Sequence, residues 1–364
     1  MPRFISDLVP LILESNDHWW PRDLVSLSQV SHVWLAPARR LLYASPTIHH
    51  FQACSKLART LSENPSLVHL VKGVDLQPLP RDTDQHFIRA DLKSILALDG
   101  LQSITLGGHL AIKAERFLNI VGDPSSVTSL HIDGSQLSHF SASFPPPSLE
   151  WDESIAFKFC SLEKLRLTDI ELEIMFPSIP YQLHLSDLVL ENVTIIDGYL
   201  CHLLHETPSL PRLCIQSGSA LDFDEHIKLV LPSCAVQTLD YEVQREHPIS
   251  FNLFDTNSPN LLSMRSLRLA GIPVDSHFLA LITQRCRNLE ELIIVGRTVR
   301  ILPHDWATFV TTRPLSSLRT IGLPWGTDHP PFTAWCDSAR QAIFQAAALQ
   351  DIQIVPGTQT AYNL

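Results

Sequence analysis

Apolar residues along most of this chain return at i, i+3 and i+5, and the stretch from Ser161 to Leu172 shows the unit most clearly. Leu162, Leu165 and Leu167 hold those positions, with Lys164, Arg166 and Thr168 alternating around the last two. Period-two alternation of this kind predicts a strand with one buried and one wet face. Ile170 and Leu172 then bend back toward the buried side. The spacing recurs at Leu98-Leu101-Ile104-Leu106, Val127-Leu130-Ile132, Leu185-Leu188-Leu190, Leu210-Leu213-Ile215, Met264-Leu267-Leu269, Leu289-Leu292-Ile294, Leu315-Leu318-Ile321-Leu323 and Leu349-Ile352-Ile354, with weaker copies at Val71-Val74-Leu76 and Val236-Leu239-Tyr241. The first inward strand residues are then Val74, Ile104, Leu130, Leu165, Leu188, Leu213, Leu239, Leu267, Leu292, Ile321 and Ile352, which predicts eleven strands. Each interval leaves room for one helix, and Phe278-Leu279-Leu281-Ile282 and Ile195-Ile196-Tyr199-Leu200-Leu203-Leu204 carry helical spacing. Strand and helix in alternation, with the strands parallel, make a solenoid.

The mean interval of about 28 residues lies at the upper end of the leucine-rich-repeat window. The expected fold is therefore α/β, a leucine-rich-repeat solenoid over residues 49–364. Longer excursions interrupt it at 77–86, 138–153, 244–260 and 322–333. A helix from about Phe51 to Ser62, with Phe51, Cys54, Leu57, Ala58 and Leu61 on one face, stacks on the first strand.

Residues 4 to 43 follow a different period. Ser6 or Asp7 is placed to cap a short helix through Leu8, Leu11, Ile12 and Leu13, and a polar turn follows that ends in two exposed tryptophans, Trp19 and Trp20. Pro21 suits the first turn of a second helix through Leu24, Leu27 and Val30, and Val33, Trp34 and Arg39 to Leu42 belong to a third. The ordered pieces Phe4-Ile5-Ser6-Asp7-Leu8, Pro21-Arg22-Asp23-Leu24, Val30-Ser31-His32-Val33-Trp34 and Ala38-Arg39-Arg40-Leu41-Leu42-Tyr43 resemble an F-box, in the manner of fungal F-box proteins with leucine-rich repeats. The sequence departs from that family at Ile5, where proline is usual, and in the Asp17-His18-Trp19-Trp20 turn. The resemblance implies a small three-helix F-box module over residues 1–48. It also implies binding of a Skp1-type adaptor and its cullin complex through Phe4, Ile5, Leu8, Pro21, Leu24, Val30 and Trp34.

Composition changes this picture little. Hydrophobic residues are 45% and charged residues 18%, so a continuous core is expected. No basic n-region or small-residue cleavage site opens the chain, and no apolar run approaches membrane-spanning length. Seven scattered cysteines, none paired as Cys-x-x-Cys, fit reduced thiols in the cytosol or nucleus. The net charge of −11 is concentrated: residues 115 to 255 carry 7 basic and 21 acidic groups. Nucleic acid needs a positive footprint and is not expected as a partner; the acidity reads either as a solvated face or as a surface for a basic protein segment.

Chemistry is sparse. No phosphate-binding glycine loop, nucleophile elbow or zinc-protease helix occurs, so no catalytic role, cofactor or metal is expected. His202 and His205 beside Cys201 are the densest metal-ligand group but lack a third ligand, and read as helix histidines; Asp169, Glu171 and Glu173 read as a solvated face. Recognition falls instead to the outward strand residues, which period two gathers on one concave face. The expected substrate-binding residues there are His131, Lys164, Arg166, Asp187, Glu191, Arg212, Asp240, Glu242 and Arg268. Two functions are open: a substrate receptor of an SCF-type ubiquitin ligase, as the F-box resemblance implies, or a ligase-independent repeat scaffold in which the helices serve as a cap.

Overall fold

The computed structural model describes residues 8–15, 19–79, 85–138, 144–218, 223–244, 253–254, 261–296, 299–324 and 335–356, with backbone alone at 85–89, 138 and 356. The strands are β1 (Thr47–Ile48), β2 (Gly73–Leu76), β3 (Ser103–Gly107), β4 (Ser129–Asp133), β5 (Ser148–Trp151), β6 (Lys164–Thr168), β7 (Glu171–Ile174), β8 (Asp187–Glu191), β9 (Thr194–Asp197), β10 (Ser209–Ser217), β11 (Ala235–Val243), β12 (Ser266–Ala270), β13 (Glu291–Val295), β14 (Thr320–Leu323) and β15 (Gln353–Pro356). The α-helices are α1 (Leu8–Glu14), α2 (Pro21–Ser28), α3 (His32–Ala44), α4 (Phe51–Glu63), α5 (Gln85–Leu96), α6 (Glu115–Leu118), α7 (Ser135–Ser138), α8 (Glu153–Lys158), α9 (Leu200–Leu203), α10 (Asp224–Ser233), α11 (Ser276–Arg285), α12 (Pro303–Thr312) and α13 (Asp337–Leu349). The chain divides into two compact units, residues 1–149 and 150–364.

In the first unit, α1 to α3 pack around Val9, Leu13, Leu24 and Ala38, with Leu27, Val33, Trp34, Leu41 and Leu42 against that core. Three helices within the first forty-five residues match the expectation, but Trp19 does not lie in the open. It packs on the same core and donates from Nε1 to the carbonyl of Leu13 at 2.9 Å, while Trp20 is 65% exposed. Burying an indole requires a partner for its N–H, and the last turn of α1 supplies a carbonyl. The chain then joins a parallel sheet, β1–β2–β3–β4, with Val74 opposite Ile104 and Ile104 opposite Leu130. Helix α4 runs as expected, burying Cys54 and Leu61.

In the second unit β6, β8 and β10 to β15 form a run of parallel strands. Leu165, Leu188, Leu213, Leu239, Leu267, Leu292 and Ile321 stand opposite one another in order, each almost fully buried. The chain is thus a mixed α/β protein of parallel strands and helices, compatible with a solenoid-like fold. β10 and β11 are the longest strands, with eight residue pairs in register, whereas the other neighbours in this unit share five or fewer.

Two expectations need correction. Ile321 faces Ile354 rather than Ile352. The reason is the end of α13: Asp351 is left-handed (φ 56°), Asp351 N–H bonds the Ala348 carbonyl and Ile352 N–H bonds that of Ala347, a Schellman cap that takes Ile352 into the helix terminus. The central copies also do not all carry a helix after the strand. A second sheet, ordered β5–β7–β9, occupies that place, so the Ser138–Glu153 excursion contains a strand and Ile195–Ile196 belong to one. Of the helix expected over 195–204 only α9 forms.

The turn into the second sheet has a fixed geometry. Asp169 and Asn192, each directly after a strand, adopt φ 51°, and Gly271 occupies the corresponding place after β12 at φ 71°. Their N–H groups donate to the Glu191, Gln216 and Val295 carbonyls at 2.8, 2.7 and 3.1 Å, one strand along. A Cβ on Gly271 would sit 2.0 Å from the Val243 carbonyl oxygen, so position 271, unlike Asp169 and Asn192, admits only glycine.

Candidate interaction surface

The inward leucines of the second unit leave three parallel rows of side chains on the opposite strand face. The middle row runs Arg166, Val189, Cys214, Asp240, Arg268, Ile293 and Gly322. On one side lie Lys164, Asp187, Arg212, Thr238, Ser266 and Glu291, and on the other Thr168, Glu191, Gln216, Glu242 and Ala270. Every expected residue between 164 and 268 is therefore on this face. His131 belongs to the first unit, where it shares a row with Asp75 and Thr105. Burial raises the Asp75 carboxyl pKa above its ordinary value despite the lowering influence of Gln77, His49, Thr47 and His131.

The charges are arranged in pairs across neighbouring strands. Arg166 Nη2 donates to both oxygens of Glu191 at 2.8 Å, and Arg212 Nη1 to Asp187 Oδ1 at 2.9 Å. Arg268 Nη1 reaches Asp240 Oδ1 at 2.8 Å and Glu242 Oε2 at 3.1 Å. The Glu242 side chain is 5% exposed and that of Arg268 22%, which makes this the most enclosed part of the face. Burial works against the charge of Arg268, and hydrogen bonds and attraction from Asp240 and Glu242 outweigh it, so its pKa is raised; Arg212 is raised likewise, with Asp187 offsetting burial. Cys214 between them is pushed up to about 11, first by burial and then by Asp240.

This pairing changes what the face does. Asp187, Glu191, Asp240 and Glu242 were expected to set up a negative field for a basic partner, yet each is bonded to an arginine. Four carboxylates against three guanidinium groups leave one formal negative charge. The face therefore offers directional hydrogen bonding beside an apolar pair, Val189 and Cys214, with Ile293 beyond Arg268, rather than a strong field. Lys164 is exposed at its edge.

The expected adaptor residues divide. Phe4 and Ile5 lie outside the described residues. Leu8, Pro21 and Val30 are exposed, Val30 at 66%, whereas Leu24 is buried and Trp34 is half-buried against the three-helix core. Among the described residues no group of histidine, cysteine and carboxylate side chains has the arrangement of a metal site. His202 and His205 instead stack edge-on against Phe176 and Tyr181. The repeat spacing gave no sign of an aromatic and apolar surface around these rings: Phe157 and Phe176 had no place in the core register, and Tyr199, expected on a helix covering the sheet, is 41% exposed. No helix among the described residues is long and apolar enough to cross a membrane. No protein-family model matches the chain, and no curated protein matches it.

Proposed function

We propose that this chain is a non-catalytic substrate receptor of an SCF-type ubiquitin ligase, acting in the cytosol or nucleus. Helices α1 to α3 would bind a Skp1-type adaptor in its cullin complex, and the leucine-rich repeats a protein substrate. The reading is carried by one observation: three short helices fold around their own small core, leave Leu8, Pro21 and Val30 exposed, and lead directly into the parallel strands β1 to β4 of the same unit. Exposed apolar residues on so small a module suit a partner surface. A purified Skp1-type adaptor tests it. The wild-type chain should retain the adaptor on a column, and Leu8→Asp with Val30→Asp should abolish retention without unfolding the chain. A wild-type chain that never retains the adaptor, or a folded double variant that retains it fully, removes the ligase reading.

A second reading, a ligase-independent scaffold, has its own support. Lys72 N–H donates to the Ala44 carbonyl at 2.8 Å and β1 pairs with β2, so the helices and the first strands share one unit and the helices could serve as a terminal cap. Under that reading the same column experiment gives no retention by either form.

A further inference from the structure

Phe157 on α8, Met175, Phe176 and Ile179 after β7, and Ile196 and Tyr199 at the end of β9 are each 41% to 73% exposed. Three of them, Phe157, Phe176 and Tyr199, are linked through rings. Phe176 lies 4.9 Å and Tyr199 5.5 Å from the His202 ring, and Phe157 lies 6.2 Å from Tyr181, whose hydroxyl donates to the His202 carbonyl at 2.7 Å. The loop that displays Phe176 and Ile179 is pinned from below. The Glu153 carboxylate accepts from Ser178 N–H at 2.7 Å, Ile179 N–H at 3.0 Å and Ser178 Oγ at 2.8 Å. These side chains are thus held out in water by a built turn, and an exposed apolar group of this kind marks an interaction site.

Its surroundings specify the occupant. Met175 N–H donates to the Trp151 carbonyl at 3.0 Å, which in a parallel ladder sets Trp151 opposite Ile174 and Glu150 opposite Glu173. Glu173 in turn faces Asp197, with Glu171 two residues earlier on β7. Three carboxylates therefore lie in one row across the second sheet. Met175 stands two residues after Glu173, just past the end of β7, and the left-handed Gly198 (φ 79°) turns the chain between Asp197 and Tyr199, so the apolar patch begins where the acidic row ends. Residues 150–206 hold eleven carboxylates against three lysine and arginine side chains. Unlike those of the strand face, Glu171, Glu173 and Asp197 form no ion pair among the described residues.

We propose that this surface docks a protein segment in which apolar side chains are flanked by lysine or arginine, the apolar groups seating on Phe176 and Tyr199 and the cations on the carboxylate row. Anionic lipid and nucleic acid are disfavoured by the same carboxylates. The proposal does not depend on adaptor binding, and it returns the expected basic partner to a different face from the one the repeats suggested.

The test uses the full chain and three fluorescent peptides of equal length, patterned leucine/lysine, leucine/glutamate and serine/lysine, with binding read by anisotropy. The leucine/lysine peptide should bind at least about tenfold more tightly than either control, and weaken as salt is added. Phe176→Ser should reduce its affinity about tenfold, as should the less intrusive Ile179→Ser, with the thermal melt unchanged. Glu173→Lys with Asp197→Lys should remove the salt dependence, whereas Arg166→Gln on the strand face should have no effect. Equal binding of the leucine/glutamate peptide overturns the proposal, as does indifference to both loop variants. Self-association of the chain that Phe176→Ser abolishes also overturns it, by showing that a second copy covers the patch.

Discussion

Replacing Leu188 tests the strand register at its centre. Leu188 is fully buried between Leu165 and Leu213 on the adjacent strands. Leu188→Ala removes that packing and should cost about 3 kcal/mol, within the usual range of about 2–5 for a core leucine. Leu188→Asp loses the same burial and adds an unpaired carboxylate, for a total of about 5 kcal/mol or more. One position away, Asp187 bonds Arg212 through side chains that are 30% and 45% exposed. Solvent screens such a pair, so Asp187→Leu should cost no more than about 1 kcal/mol. Urea denaturation followed by circular dichroism reads the contrast. With a slope of about 2 kcal/mol per molar, Leu188→Ala should lower the midpoint by about 1.5 M and Asp187→Leu by less than about 0.5 M. Equal shifts for the two positions would refute the period-two register, and with it every residue assigned to the interaction surface.

Gly271→Ala should destabilise the second unit by about 2 kcal/mol or more in the same urea assay, because φ 71° and the Val243 carbonyl both oppose a side chain, whereas Gly100→Ala, at φ 75° with nothing near its Cβ, should cost about 1 kcal/mol in the first. Glu153 gives a pH dependence: the Ile179 and Ser178 amides, with the Ser178 hydroxyl, hold its carboxyl below the ordinary value. A depressed carboxylate contributes while it is ionised and is lost as pH falls through its folded-state pKa, so the 175–180 loop should stay pinned through the ordinary carboxylate range and release only below it. Hydrogen-exchange protection at Ser178 and Ile179 measures this, and Glu153→Gln should lower that protection at neutral pH. Protection that is unchanged by Glu153→Gln would refute the pinning.

The strands of the main array could be read from the sequence because one physical demand, alternate burial, is imposed on each of them. Leu165, Leu188, Leu213 and their equivalents occupy positions where any polar residue would be expensive, so spacing alone locates them. The second sheet obeys the same alternation in Glu171-Leu-Glu-Ile, but its strands fall between copies of the repeat, and the apolar pair Ile195-Ile196 fits helix or strand equally well. The slip at Ile352 arose because a helix cap and a strand start both want an apolar residue there. At the surface, sequence found the residues of the strand face and not their relationships. Asp187 and Arg212 are 25 residues apart, and only the register of β8 on β10 makes them partners.

The eight-pair junction of β10 and β11 acts as a mechanical weld in a structure otherwise stitched with shorter seams. Each strand of the second unit is bonded only to the strands beside it, so tension applied to the unit is borne in series and the shortest seams yield first. β13 to β14 shares three pairs and β14 to β15 four, so these seams should part before the weld does. Glu242 and Asp240, gripped by Arg268, extend the reinforcement one strand further. Under traction the second unit should therefore open first along β13, β14 and β15 and hold longest between β10 and β11, with Leu239 and Tyr241 still in place.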